Sequence, residues 1–402
     1  MVELDQLGEV RASLAEGAWQ HALDLVRSAG PDGSSAEGLE LRAQAAYGAG
    51  EFEDAIAAWE GLYSLNLRRG DALEAARSAA MLAMFLLIDT GLMAPVRAWV
   101  RRADAALEGL APCPPHALIA MVRTYERFMC GDMDAVRVLA RSAIELGQQF
   151  DVTPAFVIGR VSLARLALLD GDVTGGLEQL DDIATLLMSG SVDPLTTGMM
   201  YCELICAAQG LAMHERAVEW TDVMERWRKG VAFGGINGRC RVHRAELLKV
   251  SGPCDRAEEE ALLACEELRP WMRREFGWPL VELGNIRLRK GDLAGAEEAF
   301  IAAHERAWSA QPGLALVHLE RGDIDVAAAM IAEAIDHPVD LPWKERPPSG
   351  ELRLVPLLEA QAAIEAARGD AVGAKRAADA LDRIADRFPS DSLRAGALVA
   401  SA

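Results

Sequence analysis

The stretch "LVELGNIRLRKGDLAGAEEAFIAAHE", Leu280 to Glu305, decides how this chain folds. Its centre, Gly291-Asp292, joins the residue that most readily takes a left-handed backbone to a carboxylate suited to the positive start of a helix. The pair marks the end of one helix and the start of the next. Before it, Leu280, Leu283, Gly284 and Leu288 recur with the 3.6-residue period of one stripe, and after it Ala296, Phe300, Ala303 and Ala307 do the same. A single hairpin cannot bury both stripes, so neighbours must stack against it.

The neighbours are legible along the chain. Comparable turns occur as "GAWQHA" at Gly17, "GEFEDA" at Gly50, "GLMAPV" at Gly91, "GDMDAV" at Gly131 and "GDVTGG" at Gly171. They continue as "GLAMHERA" at Gly210, "GPCDRA" at Gly252, "GDLAGA" at Gly291, "GDIDVA" at Gly322 and "GDAVGA" at Gly369. The intervals run from 31 to 47 residues and most lie near forty, which is a repeat. The expectation is one all-α solenoid over residues 1–402, with irregular, proline-rich loops near 109–116 and 336–351 where helix is barred.

Composition agrees with helices and excludes several functions. Hydrophobic residues make up 51% but aromatics only 5%, an Ala/Leu-rich mixture that favours helix over strand. A net charge of -20 and a pI near 4.8 repel phosphate backbones, and no basic cluster compensates, so direct nucleic-acid binding by these residues is not expected. The longest apolar run, "AAMLAMFLLI" at Ala79 to Ile88, is too short for a membrane span and reads as a buried helix. The N-terminus lacks the basic and apolar regions of a secretory signal, and seven unpaired-looking cysteines suit a reducing compartment, so the expected location is cytoplasmic.

"GRCRVHRAELLKVSGPCDRAEEEALLACEEL", Gly238 to Leu268, raises the question of a metal site. Cys254 and Cys265 lie on one helix with about 16 Å of rise between them, so they cannot share an ion. Cys240, His243 and Cys265 make at most an incomplete set, and buried thiols are the reading adopted, with no metal and no cofactor. "GGING" at Gly234 reads as a linker between units, and "DDIATL" at Asp181 as a solvated helix face. No phosphate-binding loop, HExxH or GxSxG is present, and only five lysines occur. The histidines show no pairing, and Trp59, Trp99 and Trp220 fall near the place Phe300 occupies, as interlocking core.

First helices of the hairpins are expected to line a concave groove. Arg123, Tyr125, Arg160, Tyr201, Arg239, Arg241, His243, Arg244 and Glu246 are their polar or aromatic residues and form the candidate ligand-binding set. Arginines in an acidic protein suit a carboxylate or an acidic peptide.

The hairpins resemble tetratricopeptide (TPR) repeats. Gly284 stands at that motif's small position in the first helix, with Leu280 and Leu283 before it and Ala296, Phe300 and Ala303 in the second, while Arg287 replaces the expected aromatic. The resemblance implies a TPR-like α-solenoid, a right-handed superhelix of about ten hairpins. "CRVHRAELLKVSG", "EEALLACEELRPWM" and "QPGLALVHLERGDIDVAAAMIAEAI", with "GAWQHAL" and "LRAQAAYGAGEFEDAIAAWEGLYSLNLRRGD" near the start, are similar to the sensor region of actinobacterial LuxR-type transcriptional regulators. That likeness covers nearly the whole chain and implies a sensor module for transcription regulation. The helix-turn-helix that closes such proteins is missing, and the apolar ending "DSLRAGALVASA" suggests a truncated sensor or a relative without that module.

The expected function is a non-enzymatic module that binds a peptide, partner protein or small anionic effector in its groove, a homodimer being possible. The alternatives are a protein-interaction scaffold without an effector and an all-helical enzyme with its pocket in the groove.

Overall fold

The computed structural model describes residues 6–231, 234–268, 276–338, 349–388 and 390–401. Among these residues all regular structure is helical. The hairpins are α1 (Gln6–Ala15) with α2 (Trp19–Ser28), α3 (Ala36–Ala49) with α4 (Phe52–Arg69), α5 (Ala72–Thr90) with α6 (Met93–Ala106), and α7 (Pro114–Cys130) with α8 (Met133–Phe150). They continue as α9 (Thr153–Leu169) with α10 (Val173–Met188), α11 (Pro194–Gly210) with α12 (His214–Val231), and α13 (Gly234–Ser251) with α14 (Cys254–Leu268). The last three are α15 (Gly277–Lys290) with α16 (Leu293–His304), α17 (Gly313–Arg321) with α18 (Ile324–Asp336), and α19 (Gly350–Arg368) with α20 (Ala371–Arg387), and α21 (Asp391–Ser401) follows them.

Every one of the ten turns read from the sequence falls between the two helices of a hairpin. The chemistry is as expected at Gly291, whose φ of 81° lets its N–H reach back to Arg287 and Leu288, while Asp292 accepts from the Gly295 N–H at 2.9 Å. Two turns differ. Gly210 ends α11 in the helical region and Ala212 takes the positive φ of 55°, and Gly252 is not left-handed but hands the chain to Pro253. "GGING" is not a linker: α13 begins at Gly234.

The prolines are placed by helix-start geometry. Gly109 to Cys113 connects α6 to α7, but Pro114 and Pro115 sit in the first turn of α7, where a missing N–H costs nothing. In the second proline-rich stretch Asp336 ends α18 and Gly350 starts α19, and residues 339–348 lie outside the described residues.

The stacking explains which helices are apolar all round. First helices of successive hairpins pack side by side, α5 on α7, α7 on α9, α9 on α11, α11 on α13, α13 on α15, forming an inner column covered by the second helices. In α11 every residue from Leu195 to Ala208 is buried, and the run Ala79 to Ile88 is enclosed in α5 apart from a partly covered Met81 and Leu86. No described helix is long and apolar enough to cross a membrane.

Phe300 shows the repeat at atomic scale. It is fully buried, and a Cβ at Gly284 or at Gly313 would come within 2.6 Å or 2.1 Å of its ring. Two glycines, one from each flanking first helix, make the slot that this ring fills. Ala296 and Ala303 share its burial, but Ala307 lies past the end of α16, exposed and left-handed, so it is not part of the stripe. Trp59 and Trp220 occupy the corresponding core, and Trp99 is partly covered beside Tyr63.

Candidate functional site

The nine groove candidates do not share one surface. Arg239, His243 and Glu246 follow the i, i+4, i+7 stripe of α13 that faces the inner column, whereas Arg241 and Arg244 point to the neighbouring second helices. Arg239 is enclosed and donates to the Ile88 carbonyl of α5 at 3.0 Å. Arg241 donates to Glu260 and Glu267 of α14, each at 2.7 Å, and Arg244 to Glu225 of α12 at 2.6 Å. Tyr125 is buried on α7 and donates to Glu203 of α11 at 2.6 Å, a carboxylate that also receives Arg165 at 3.0 Å. Tyr201 is buried beside Trp227. Arg123 pairs with Asp104 of α6, and Arg160 lies 3.5 Å from Asp182. Asp181, read as a solvated face, accepts Arg216 of α12 at 2.6 Å.

One half-open space gathers chemistry. A cavity of about 570 Å³ lies between α11, α13 and α15 on one side and α19 and α21 on the other. Cys206, Gln209, Glu246, Lys249, Trp278 and Glu282 line the first side, and Leu352, Arg353 and Leu393 the second. Glu246 accepts the Gln209 amide at 2.6 Å and the Trp278 indole N–H at 2.8 Å. His243 is buried behind it, with Nδ1 3.1 Å from Gln209 Oε1 and 3.4 Å from Glu246 Oε2, Nε2 3.9 Å from Cys206 Sγ, and its ring edge-on to Trp278. Lys249 reaches both oxygens of Glu282, at 2.9 and 3.0 Å.

The electrostatics follow from burial competing with pairing. Burial pulls the His243 imidazole down, but the Cys206 and Cys202 sulfurs and Glu246 outweigh it and hold the pKa well above the usual histidine range. Glu246 shows the reciprocal effect: burial raises it, and His243 with Trp278 hold it below the ordinary carboxylate value. Glu282 is pushed up, by burial first and the Glu246 charge second, against the pull of Lys249, whose own pKa rises because Glu282 overcomes its burial.

Three helices bring these acid and base groups together, which no pairing along the sequence indicates. The members that the sequence does not single out are Gln209, Lys249, Trp278, Glu282 and Arg353. Lys249 carried a faint signal, three residues beyond Glu246 in α13 and one of only five lysines. The thiols beside His243 are Cys202 and Cys206 of α11. Cys240 and Cys265 are core residues, and Cys254 packs at the edge of a neighbouring cluster. Among the described residues no three His, Cys, Asp or Glu are grouped closely enough to hold a metal ion.

The chain closes over this cavity. Ser390, just before α21, donates its hydroxyl to the Ala212 carbonyl at the α11–α12 turn, 2.6 Å away. A cleft of about 340 Å³ beside it brings Arg387 and Phe388 to Asp170 and Leu211.

Two grooves lie elsewhere, each between successive second helices with a first helix as floor. One of about 510 Å³ spans α12 to α14, where Arg226, Arg244 and Arg256 face Asp222 and Glu225. The other, of about 710 Å³, spans α6 to α8 and contains Arg123.

No known family's sequence profile matches the chain, and no curated protein matches it in sequence. In fold it is similar to the crystal structure of the APC/C hetero-tetramer Cut9-Hcn1, with a TM-score of 0.51, 13% identity, and 98% of this chain and 76% of that one covered. Yeast Tom70 aligns at a TM-score of 0.40 and 12% identity over 99% of this chain and 88% of that one. The P58(IPK) TPR domain aligns at 0.27 and 12% over 98% and 96%. The fold is a TPR-like α-solenoid.

Proposed function

We propose that this chain is a cytoplasmic binding module whose ligand occupies the cavity between α11–α15 and the α19–α21 roof. The observation that carries the reading is that roof: helices from two separate stretches of the chain, α11–α15 ending at Lys290 and α19–α21 starting at Gly350, together line one largely apolar space that carries the charged Glu246, Lys249, Glu282 and Arg353. A ligand held by Glu246, Lys249 and Arg353 offers different contacts in roofed and open arrangements, so its occupancy biases the curvature of the array. The ligand is a peptide, a segment of a partner protein or a small effector whose anionic group Arg353 and Lys249 attract. The stretches similar to LuxR-type regulators favour a sensor that passes occupancy to a transcriptional output.

The test is a native mass spectrum of the intact chain purified from its host. A retained mass that Lys249→Ala and Arg353→Ala both lose supports the reading; an unliganded wild-type chain favours a scaffold without effector.

A second reading rests on the His243–Glu246 pair beside the raised Glu282, an acid–base arrangement that an enzyme uses. Glu282→Gln separates the two. A binding module keeps its retained ligand unaltered, whereas an enzyme loses conversion of it.

A further inference from the structure

The outer groove over α6, α7 and α8 joins clustered arginines to exposed apolar side chains. Arg97 and Arg101 stand one helical turn apart on α6, and Arg123 and Arg127 one turn apart on α7, so two rows of guanidinium groups border the same space. Its walls on α6 and α8 carry apolar side chains: Val96, Val100 and Leu139 are covered to different degrees, and Val138 is 67% exposed. Glu126, Asp132 and Asp104 neutralise part of the charge, through Arg97 at 2.6 Å, Arg127 at 3.2 and 3.3 Å, and Arg123, which leaves Arg101 as the main open contact. Arg101 is exposed and makes no ion pair or hydrogen bond among the described residues.

We propose that this groove is a docking surface for an acidic amphipathic helix of a partner protein, separate from the inner cavity. Carboxylates at i and i+4 of such a helix match the spacing of each arginine row, and its apolar side chains cover Val138 and Leu139. Arginine's planar fork donates to two carboxylate oxygens, which fixes register as well as charge. Nucleic acid fits less well, because a phosphate backbone offers nothing to the valine-lined walls.

The test uses the intact chain and a fluorescein-labelled sixteen-residue helical peptide with Glu at i/i+4 beside a leucine stripe, read by fluorescence anisotropy. Wild-type protein is expected to bind it with a Kd on the order of micromolar, weakening as salt rises. Arg101→Glu and Val138→Asp change exposed side chains and leave the circular dichroism unchanged; each is expected to weaken binding about tenfold. Arg383→Glu, an exposed change on α20, leaves the affinity unaltered. Absence of binding by wild-type protein, or equal binding by Arg101→Glu and Val138→Asp, overturns the proposal. So does equal affinity for a single-stranded oligonucleotide or for phosphatidylserine vesicles, which would mean that charge alone is read.

Discussion

Phe300 depends on two glycines for its place, which makes the Gly284–Phe300–Gly313 slot a sensitive test of packing. Phe300→Ala is expected to cost about 3–5 kcal/mol by emptying it. Gly284→Ala costs about 1–3 kcal/mol by forcing the ring to move, and pairing it with Phe300→Leu recovers part of that loss; native-state hydrogen exchange across α15 and α16 reads both. Asp54 makes a pH-dependent contribution among the first hairpins. Burial raises its pKa, but Arg42 and Arg27, the latter at 2.7 Å, hold it below its ordinary value of 3.8. A depressed carboxylate stabilises the fold above its unfolded pKa, and that stability is lost as pH falls through the folded value. Asp54→Asn is therefore expected to cost about 1–2 kcal/mol at neutral pH and to flatten the loss below about pH 4, as denaturant titrations at several pH values would record.

At the scale of the helix, the Gly-Asp turn does the same work repeatedly. Asp132, Asp172, Asp292 and Asp370 each accept a first-turn N–H of the helix they start. Gly70-Asp71, between α4 and α5, has the same geometry although it joins two hairpins instead of lying within one. Asp292→Ala is expected to cost about 1 kcal/mol, and Gly291→Ala a similar amount because its backbone is left-handed with open space around it. Faster amide exchange at the start of α16, with the far hairpins unchanged, would bear this out. These turns were legible from sequence because cap and left-handed residue act within four positions. The buried helices were legible as apolar runs, but α11 has no single apolar side, so its neighbours on every flank were not. Likewise Arg239 and Arg241 belong to one helix and reach opposite sides of it, a distinction set by how α13 is rotated within the stack.

Across the whole molecule, contacts distant in sequence tie the inner column. Tyr47, Asp89 and Arg239 meet where α3 and α5 face α13; burial and the Asp89 charge push the tyrosine hydroxyl up, and Arg239 opposes them. Arg239→Met is expected to cost about 3–5 kcal/mol because it removes the buried cation from the cluster that also holds the Tyr47 hydroxyl and the Asp89 carboxylate. Arg239→Met with Asp89→Asn should lose less than the sum of the singles, a coupling that a double-mutant cycle in denaturant measures. Ser390→Ala removes the hydroxyl that ties the start of α21 to the α11–α12 turn, and its expected effect is faster hydrogen exchange in α21 with α1 to α10 unchanged.

The amino-acid order by itself determined the hairpins, their number and their stacking, since turn chemistry and a 3.6-residue stripe are local properties that survive any superhelical arrangement. It also marked α13 as rich in polar residues, expected to line a groove. Only the tertiary structure decided which of those residues meet, because the partners of Glu246 and Lys249 come from α11 and α15 and the roof from α19 and α21. Periodicity fixes a residue's direction about its own helix axis; small rotations accumulated from hairpin to hairpin fix what that direction faces.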